Sequence, residues 1–207
     1  MRVLIAYDGS AYAEIAVSDL ERAGLPSDTQ AIVISVIDPK DWMKNLPALE
    51  RSAEEVCKRL QALFPRWTVQ LETPEGQAAQ TILNRSKTWH ADLIVAGTHG
   101  RTGLARLVLG SVSTALMRDA LCSVRVARAG SGRPSGPLRL LIGNDGSPEA
   151  DLAVNEVCRR SWPGGTEARV VAVAEEFAYA DVERSMRVAG SDSQIGPQEY
   201  RWLETLP

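Results

Sequence analysis

Two glycine-bearing turns hold the residues of this chain best suited to chemistry. Gly97-Thr98-His99-Gly100 follows an apolar run, and Gly110-Ser111-Val112-Ser113 follows nine residues after Gly100. Glycines let a backbone approach a phosphate closely. A helix opening at Gly110 presents unpaired N–H groups and partial positive charge, which favour an anion by up to about 2 kcal/mol. The hydroxyls of Ser111 and Ser113 add donors. Phosphate binding is the expected chemistry.

Other phosphate and hydrolase motifs do not occur. There is no GxxxxGKS/T, and no GxGxxG after the first apolar run, which leads instead into Asp8-Gly9-Ser10. GxSxG is also missing. No acid, nucleophile or second ligand is spaced to form a triad or a metal site with His99, so its backbone N–H is the expected contribution. Arg101 and Arg106 are either phosphate neutralisers or solvated loop residues. Asp8 is either a ligand contact or the cap of its turn. The ligand contact is favoured because the phosphate loop lies in the same half of the chain.

These residues need a scaffold, and the pattern of apolar runs supplies one. Strands are expected near 2–7, 30–37, 67–72, 92–97 and 122–128, and helices near 11–24, 48–64, 75–89 and 109–119. Ser10 is a cap for the first helix, Pro65 stops the second, and Pro74 precedes the third. Leu109, Val112 and Leu116 recur at helical spacing and are expected to face the sheet. Strands alternating with helices predict an α/β fold: an open parallel five-stranded sheet with helices on both faces. Ligands bind such sheets at the carboxyl ends of strands, where strand order reverses. Asp8 and the Gly97 turn both belong there.

The chain also repeats itself. Arg2-Val3-Leu4-Ile5-Ala6-Tyr7-Asp8-Gly9-Ser10 returns as Arg139-Leu140-Leu141-Ile142-Gly143-Asn144-Asp145-Gly146-Ser147, and the register holds through the next strand. About 15 of about 35 aligned positions are identical. The expected layout is a complete domain over 1–129, a Gly/Ser/Pro-rich linker over 130–137 and a truncated second repeat over 138–207. Position 207 corresponds to position 70, so the second repeat stops before any equivalent of the Gly97 turn. An unpaired edge there is an association hazard, so docking or swapping against another chain is expected, or poor order beyond about residue 175.

Bulk composition excludes several classes. The 207 residues carry a net charge of -3, with 44 % hydrophobic and 24 % charged residues, ordinary for a globular protein. No basic stripe or tail supports nucleic-acid binding. No apolar run approaches the roughly 20 residues of a membrane span. Cys57, Cys122 and Cys158 are odd in number and widely separated, which favours three buried reduced thiols and a cytoplasmic location.

The glycine pattern resembles that of the universal stress protein family: a glycine, two residues, a glycine, nine residues, then glycine followed by Ser or Thr. It is matched by Gly97, Gly100, Gly110 and Ser111. The resemblance spans residues 1–129 and continues through the partial repeat. It implies a Rossmann-like fold of the adenine nucleotide alpha hydrolase type, and ATP, with or without Mg2+, as the ligand. It further implies that Asp8 meets the adenosine part and that Val36 lines the adenine pocket. Backbone groups of Gly97, His99, Gly100 and the Gly110-Ser111-Val112-Ser113 turn would hold ribose and phosphates. Relatives dimerise through the last strand, here 122–128, so a homodimer is expected, or intramolecular pairing of the two repeats. Arg125 stands where an apolar residue is common. The implied role is regulatory, in stress response, with at most weak ATP hydrolysis. A slow ATPase or phosphoryl-transfer enzyme using Ser111 or Ser113, and a nucleotide-free interaction module, are the alternatives.

Overall fold

A computed structural model describes residues 1–38, 42–100, 109–128 and 136–172. Five strands form a parallel sheet: β1 (Arg2–Ala6), β2 (Gln30–Ile34), β3 (Thr68–Glu72), β4 (Leu93–Gly97) and β5 (Ser123–Ala127), in the order β3-β2-β1-β4-β5. Strand order reverses between β1 and β4, which pair through Val3↔Leu93, Leu4↔Ile94 and Ile5↔Val95. These residues are buried on both faces, because parallel sheets carry helices on each side.

Four helices make the outer layers: α1 (Ala11–Asp19), α2 (Trp42–Leu63), α3 (Ala78–Trp89) and α4 (Ser111–Asp119). One face of the sheet packs Val3, Ile5, Ala31 and Val33 against Ala16, Val17 and Leu20 on the α1 side and Ala53, Val56 and Leu60 of α2. The other packs Leu4, Ile32, Ile34 and Ile94 against Ile82 of α3 and Leu116 of α4. The Ser10 hydroxyl caps α1 by accepting from the Ala13 N–H at 3.1 Å, satisfying one of the donors a helix start leaves open.

Local differences from the sequence reading have local causes. Helix α2 begins at Trp42 rather than near 48 and carries Pro47 inside, whose missing N–H removes one bond of its ladder. Leu109 lies ahead of α4 and is exposed, whereas Leu116 is fully buried and Val112 packs on the same cluster. The three cysteines are free, but Cys158 is exposed and the other two are only partly buried.

Residues 136–172 form β6 (Arg139–Gly143), α5 (Pro148–Cys158) and β7 (Glu167–Val171). The strands pair in parallel from Arg139↔Glu167 to Gly143↔Val171, the same register as Arg2↔Gln30 to Ala6↔Ile34. The Ser147 hydroxyl caps α5 through the Ala150 N–H at 3.1 Å, as Ser10 caps α1. The unit touches the larger sheet's layer where the Ser161 N–H donates to the Gly24 carbonyl at 3.0 Å and Arg160 donates to the Ala23 carbonyl. The expected third strand of this repeat, and the behaviour beyond about 175, fall outside the described residues.

Burial separates the two copies. Leu4 has no exposed surface, while its counterpart Leu141 is 75 % exposed. Leu4→Ala is therefore expected to cost about 2–5 kcal/mol. Leu141→Ala is expected to stay within about 0.5 kcal/mol. Chemical denaturation of the two variants measures both, and equal losses would contradict this difference in packing.

Candidate functional site

A cavity of about 280 Å³ opens at the carboxyl ends of β1, β2 and β4. Asp8, Val36, Gly97, His99, Gly100, Gly110, Ser111, Val112 and Ser113 all line it. Ala6, Ile34, Ala78, Ile82 and Ala96 give it an apolar wall, and Asp38 and Tyr7 complete the polar part. Sequence reading missed this second group. The period-two pattern of β2 pointed to Ile34 and Asp38, which share a strand face with Val36. Nothing in the sequence pointed to Ala78 and Ile82.

Backbone geometry explains how the cavity stays open to a ligand. The Ser35 and Ile37 N–H groups donate to the Glu72 and Pro74 carbonyls, both on the β3 side. By strand alternation the Val36 backbone faces the other way, above the end of β1. Across the cavity, the Thr98 N–H donates to the Ala127 carbonyl at 3.2 Å, and the amides of His99 and Gly100 have no backbone partner among the described residues. Helix α4 starts at Gly110 without a side-chain cap, unlike α1 and α5. Its first-turn N–H groups are therefore left for solvent or a ligand.

Two glycines sit where a side chain would collide. A Cβ on Gly97 would lie 2.5 Å from the Tyr12 carbonyl oxygen, so the start of α1 rests directly on the end of β4. A Cβ on Gly100 would lie 2.7 Å from Asp8 Oδ2. The other oxygen of Asp8 accepts from the Ser10 N–H at 3.0 Å, and Asp145 does the same with the Ser147 N–H. The turn-capping role of Asp8 is thus present, and its second oxygen faces the glycine turn.

The two serines differ. Ser111 is exposed at the start of α4. Ser113 is 3 % exposed, and its hydroxyl is within donating distance of the Thr98 and Gly110 carbonyls, at 3.0 Å each. Its single proton therefore fastens α4 to the loop rather than serving a ligand. The His99 ring packs against Tyr12 with centroids 4.9 Å apart, and both ring nitrogens are buried with no hydrogen-bond partner among the described residues. Arg101 and Arg106 lie outside the described residues. Arg125 pairs with Asp19 of α1 at 2.6 Å, so its charge is met within the domain. Strand β5 ends the sheet with its outer side unpaired among the described residues.

Behind the cavity, the Tyr7 hydroxyl donates to Glu14 at 2.6 Å and bonds Ser52, while Arg59 donates to the other Glu14 oxygen at 2.6 Å. This ties β1, α1 and α2 together. Burial, followed by the bond to Glu14, pushes the Tyr7 phenol up to about 12. Burial alone would raise the Glu14 carboxyl, but the bonds from Tyr7 and Arg59 outweigh it and hold the group below its usual range.

The sequence profile of the universal stress protein family matches residues 1–128. A universal stress protein of Methanocaldococcus jannaschii is 30 % identical over 139 residues, covering 61 % of this chain and 81 % of that protein. A universal stress protein from Archaeoglobus fulgidus superposes with a TM-score of 0.56 at 20 % identity, covering 91 % of this chain and 73 % of that one. A family member from Arabidopsis thaliana, solved with AMP bound, gives a TM-score of 0.45 at 17 % identity over 63 % of this chain and 93 % of that one.

Two outcomes follow from this geometry. Gly97→Ala is expected to lose about 3 kcal/mol or more, because backbone blocks the new Cβ. Gly100→Ala meets only a movable carboxylate and should lose less. Thermal melts compare them, and equal melting temperatures would refute the difference. The folded protein also holds the Tyr7 proton more tightly than the unfolded chain, whose phenol titrates near 10. The resulting stability is intact below pH 10 and is lost as the pH rises toward 12. Denaturation between pH 9 and 12 should show a shallower decline in Tyr7→Phe than in the parent, and parallel declines would refute it.

Proposed function

The chain belongs to the universal stress protein family, and on that premise we propose that it binds ATP as a regulatory ligand. The observation that supports this most directly is the pairing of an apolar wall with an uncapped helix start in one cavity. The apolar lining by Ile34, Val36 and Ile82 suits an adenine ring, with the Val36 backbone free to meet its edge. The Asp8 carboxylate, beside Gly100, suits a ribose hydroxyl, which donates to it. The His99 and Gly100 amides and the first turn of α4 suit phosphate oxygens.

The donor set supports holding the phosphates more than transforming them. Backbone amides hold charge without accepting a proton, and Asp8, Asp38 and His99 supply the titratable side chains of the described lining outside Tyr7. Mg2+ would enter with the triphosphate. Among the described residues, no group of three His, Cys, Asp or Glu side chains is placed to hold a metal by itself. Ligand occupancy would change the surface that this end of the sheet offers to a partner.

Calorimetric titration with ATP is the test. The parent protein is expected to bind in the micromolar range or tighter. Gly100→Ala should weaken binding by about tenfold or more by displacing Asp8, and Gly110→Ala by a similar factor through the start of α4. Unchanged affinity in both variants would remove the site from this cavity.

A further inference from the structure

We propose that the outer edge of β6 pairs with the same edge of a second copy of this chain, antiparallel and in register about Leu141. This contact is independent of the nucleotide reading. Backbone direction selects the edge. The Asn144 N–H donates to the Val171 carbonyl at 2.9 Å, and the Leu138 carbonyl accepts from the Glu167 N–H at 2.9 Å. Residues of that parity face β7, so Arg139, Leu141 and Gly143 turn their N–H and C=O groups to the other side. In the first copy β4 takes the matching side of β1, where the Arg2 carbonyl accepts from the Asp92 N–H at 2.9 Å. Among the described residues, no strand takes that place beside β6. Such an edge is a template for another strand.

The edge is complementary to itself. A two-fold axis at Leu141 opposes Leu141 to its own copy and Arg139 to Gly143, and these are the residues whose backbone groups face outward. Leu141 is exposed although it is the central residue of β6, so the two leucines leave water together. Charge agrees. On the Leu141 face, the diagonal neighbour of Arg139 is Asp145 of the second copy. The Asp145 turn repeats the Asp8 turn: Oδ1 accepts from the serine N–H at 3.0 Å in both, and the glycine φ angles are 75° and 82°. Asp8 Oδ2 lies on the β4 side, 2.7 Å from where a Gly100 Cβ would stand, which puts the Asp145 carboxylate on the open side of β6. Arg139 and Asp145 are both exposed, and neither enters an ion pair among the described residues. The outer edge of β7 is a poorer match, since pairing about its centre opposes Arg169 to its own copy.

Sedimentation equilibrium of the full chain is the test, with melting curves to verify that each variant folds. The parent protein is expected to dimerise in the micromolar range. Leu141→Lys should weaken dimerisation by about tenfold or more, because a charge then meets its own copy at the axis. Arg139→Glu should weaken it by about fivefold, because the two-fold repeats the repulsion from Asp145. Cross-linking in a Cys158→Ser background reads the register. Oxidised Leu141→Cys is expected to form a disulfide-linked dimer, since hydrogen-bonded antiparallel pairs hold their Cα atoms about 5.5 Å apart. Leu152→Cys, exposed on α5, controls for random collision and should cross-link about tenfold more slowly. A parent that stays monomeric to submillimolar concentration overturns the proposal. So does dimerisation that Leu141→Lys leaves unchanged, which would put the contact on another edge such as β5. Equal cross-linking of the two cysteine variants overturns it as well.

Discussion

The close approach of Tyr12 to Gly97 is the contact on which the site depends. With no Cβ at Gly97, the first turn of α1 lies directly on the end of β4. That draws the Asp8-Gly9-Ser10 turn, which precedes α1, toward the loop that follows β4. The Asp8 carboxylate consequently reaches Gly100, although the two belong to strands joined by most of the domain. Ser113 fastens the far side by donating toward the Thr98 and Gly110 carbonyls. Three separate stretches of chain are held around one space by two short-range constraints, each of which tolerates only a small residue or a hydroxyl.

The core is what allows those constraints to act. Val3, Leu4 and Ile5 of β1 and Leu93, Ile94 and Val95 of β4 are covered on both faces, so the reversal of strand order is fixed within the buried core. The carboxyl ends of these strands cannot be covered in the same way, because the crossovers diverge there in opposite directions. A cavity at that point is a consequence of topology. The link from Tyr7 through Glu14 to Arg59, and from Tyr7 to Ser52, then attaches α2 to the same corner.

Among the described residues, the second repeat shows the same local code on two strands and one helix. Ser147 and Asp145 cap their turn and helix as Ser10 and Asp8 do, and β6 and β7 keep the register of β1 and β2. Yet Leu141 and Val171 are exposed where Leu4 and Ile34 are buried. Arg169 occupies the place of Ile32, at the centre of what is core in the first copy. Caps and parallel pairing need only near neighbours. Burial needs the strands and helices on either side.

Much of the architecture was legible because it rests on periodicity. Apolar runs at β1 and β4, the caps at Ser10 and Ser147, and the glycine spacing from Gly97 to Ser111 each express a short-range physical requirement that a sequence displays directly. Side-chain commitments were not legible. Ser113 reads as a ligand donor in the sequence, whereas its hydroxyl lies within donating distance of two carbonyls of the protein. Ala78 and Ile82 show no motif of their own, and Leu109 fits helical spacing yet lies outside the helix. The sequence by itself determined the elements, their order and the glycines that a close approach demands. Only the tertiary structure decided which polar groups are already spent and which remain facing the cavity, because a donor's partner can lie anywhere along the chain.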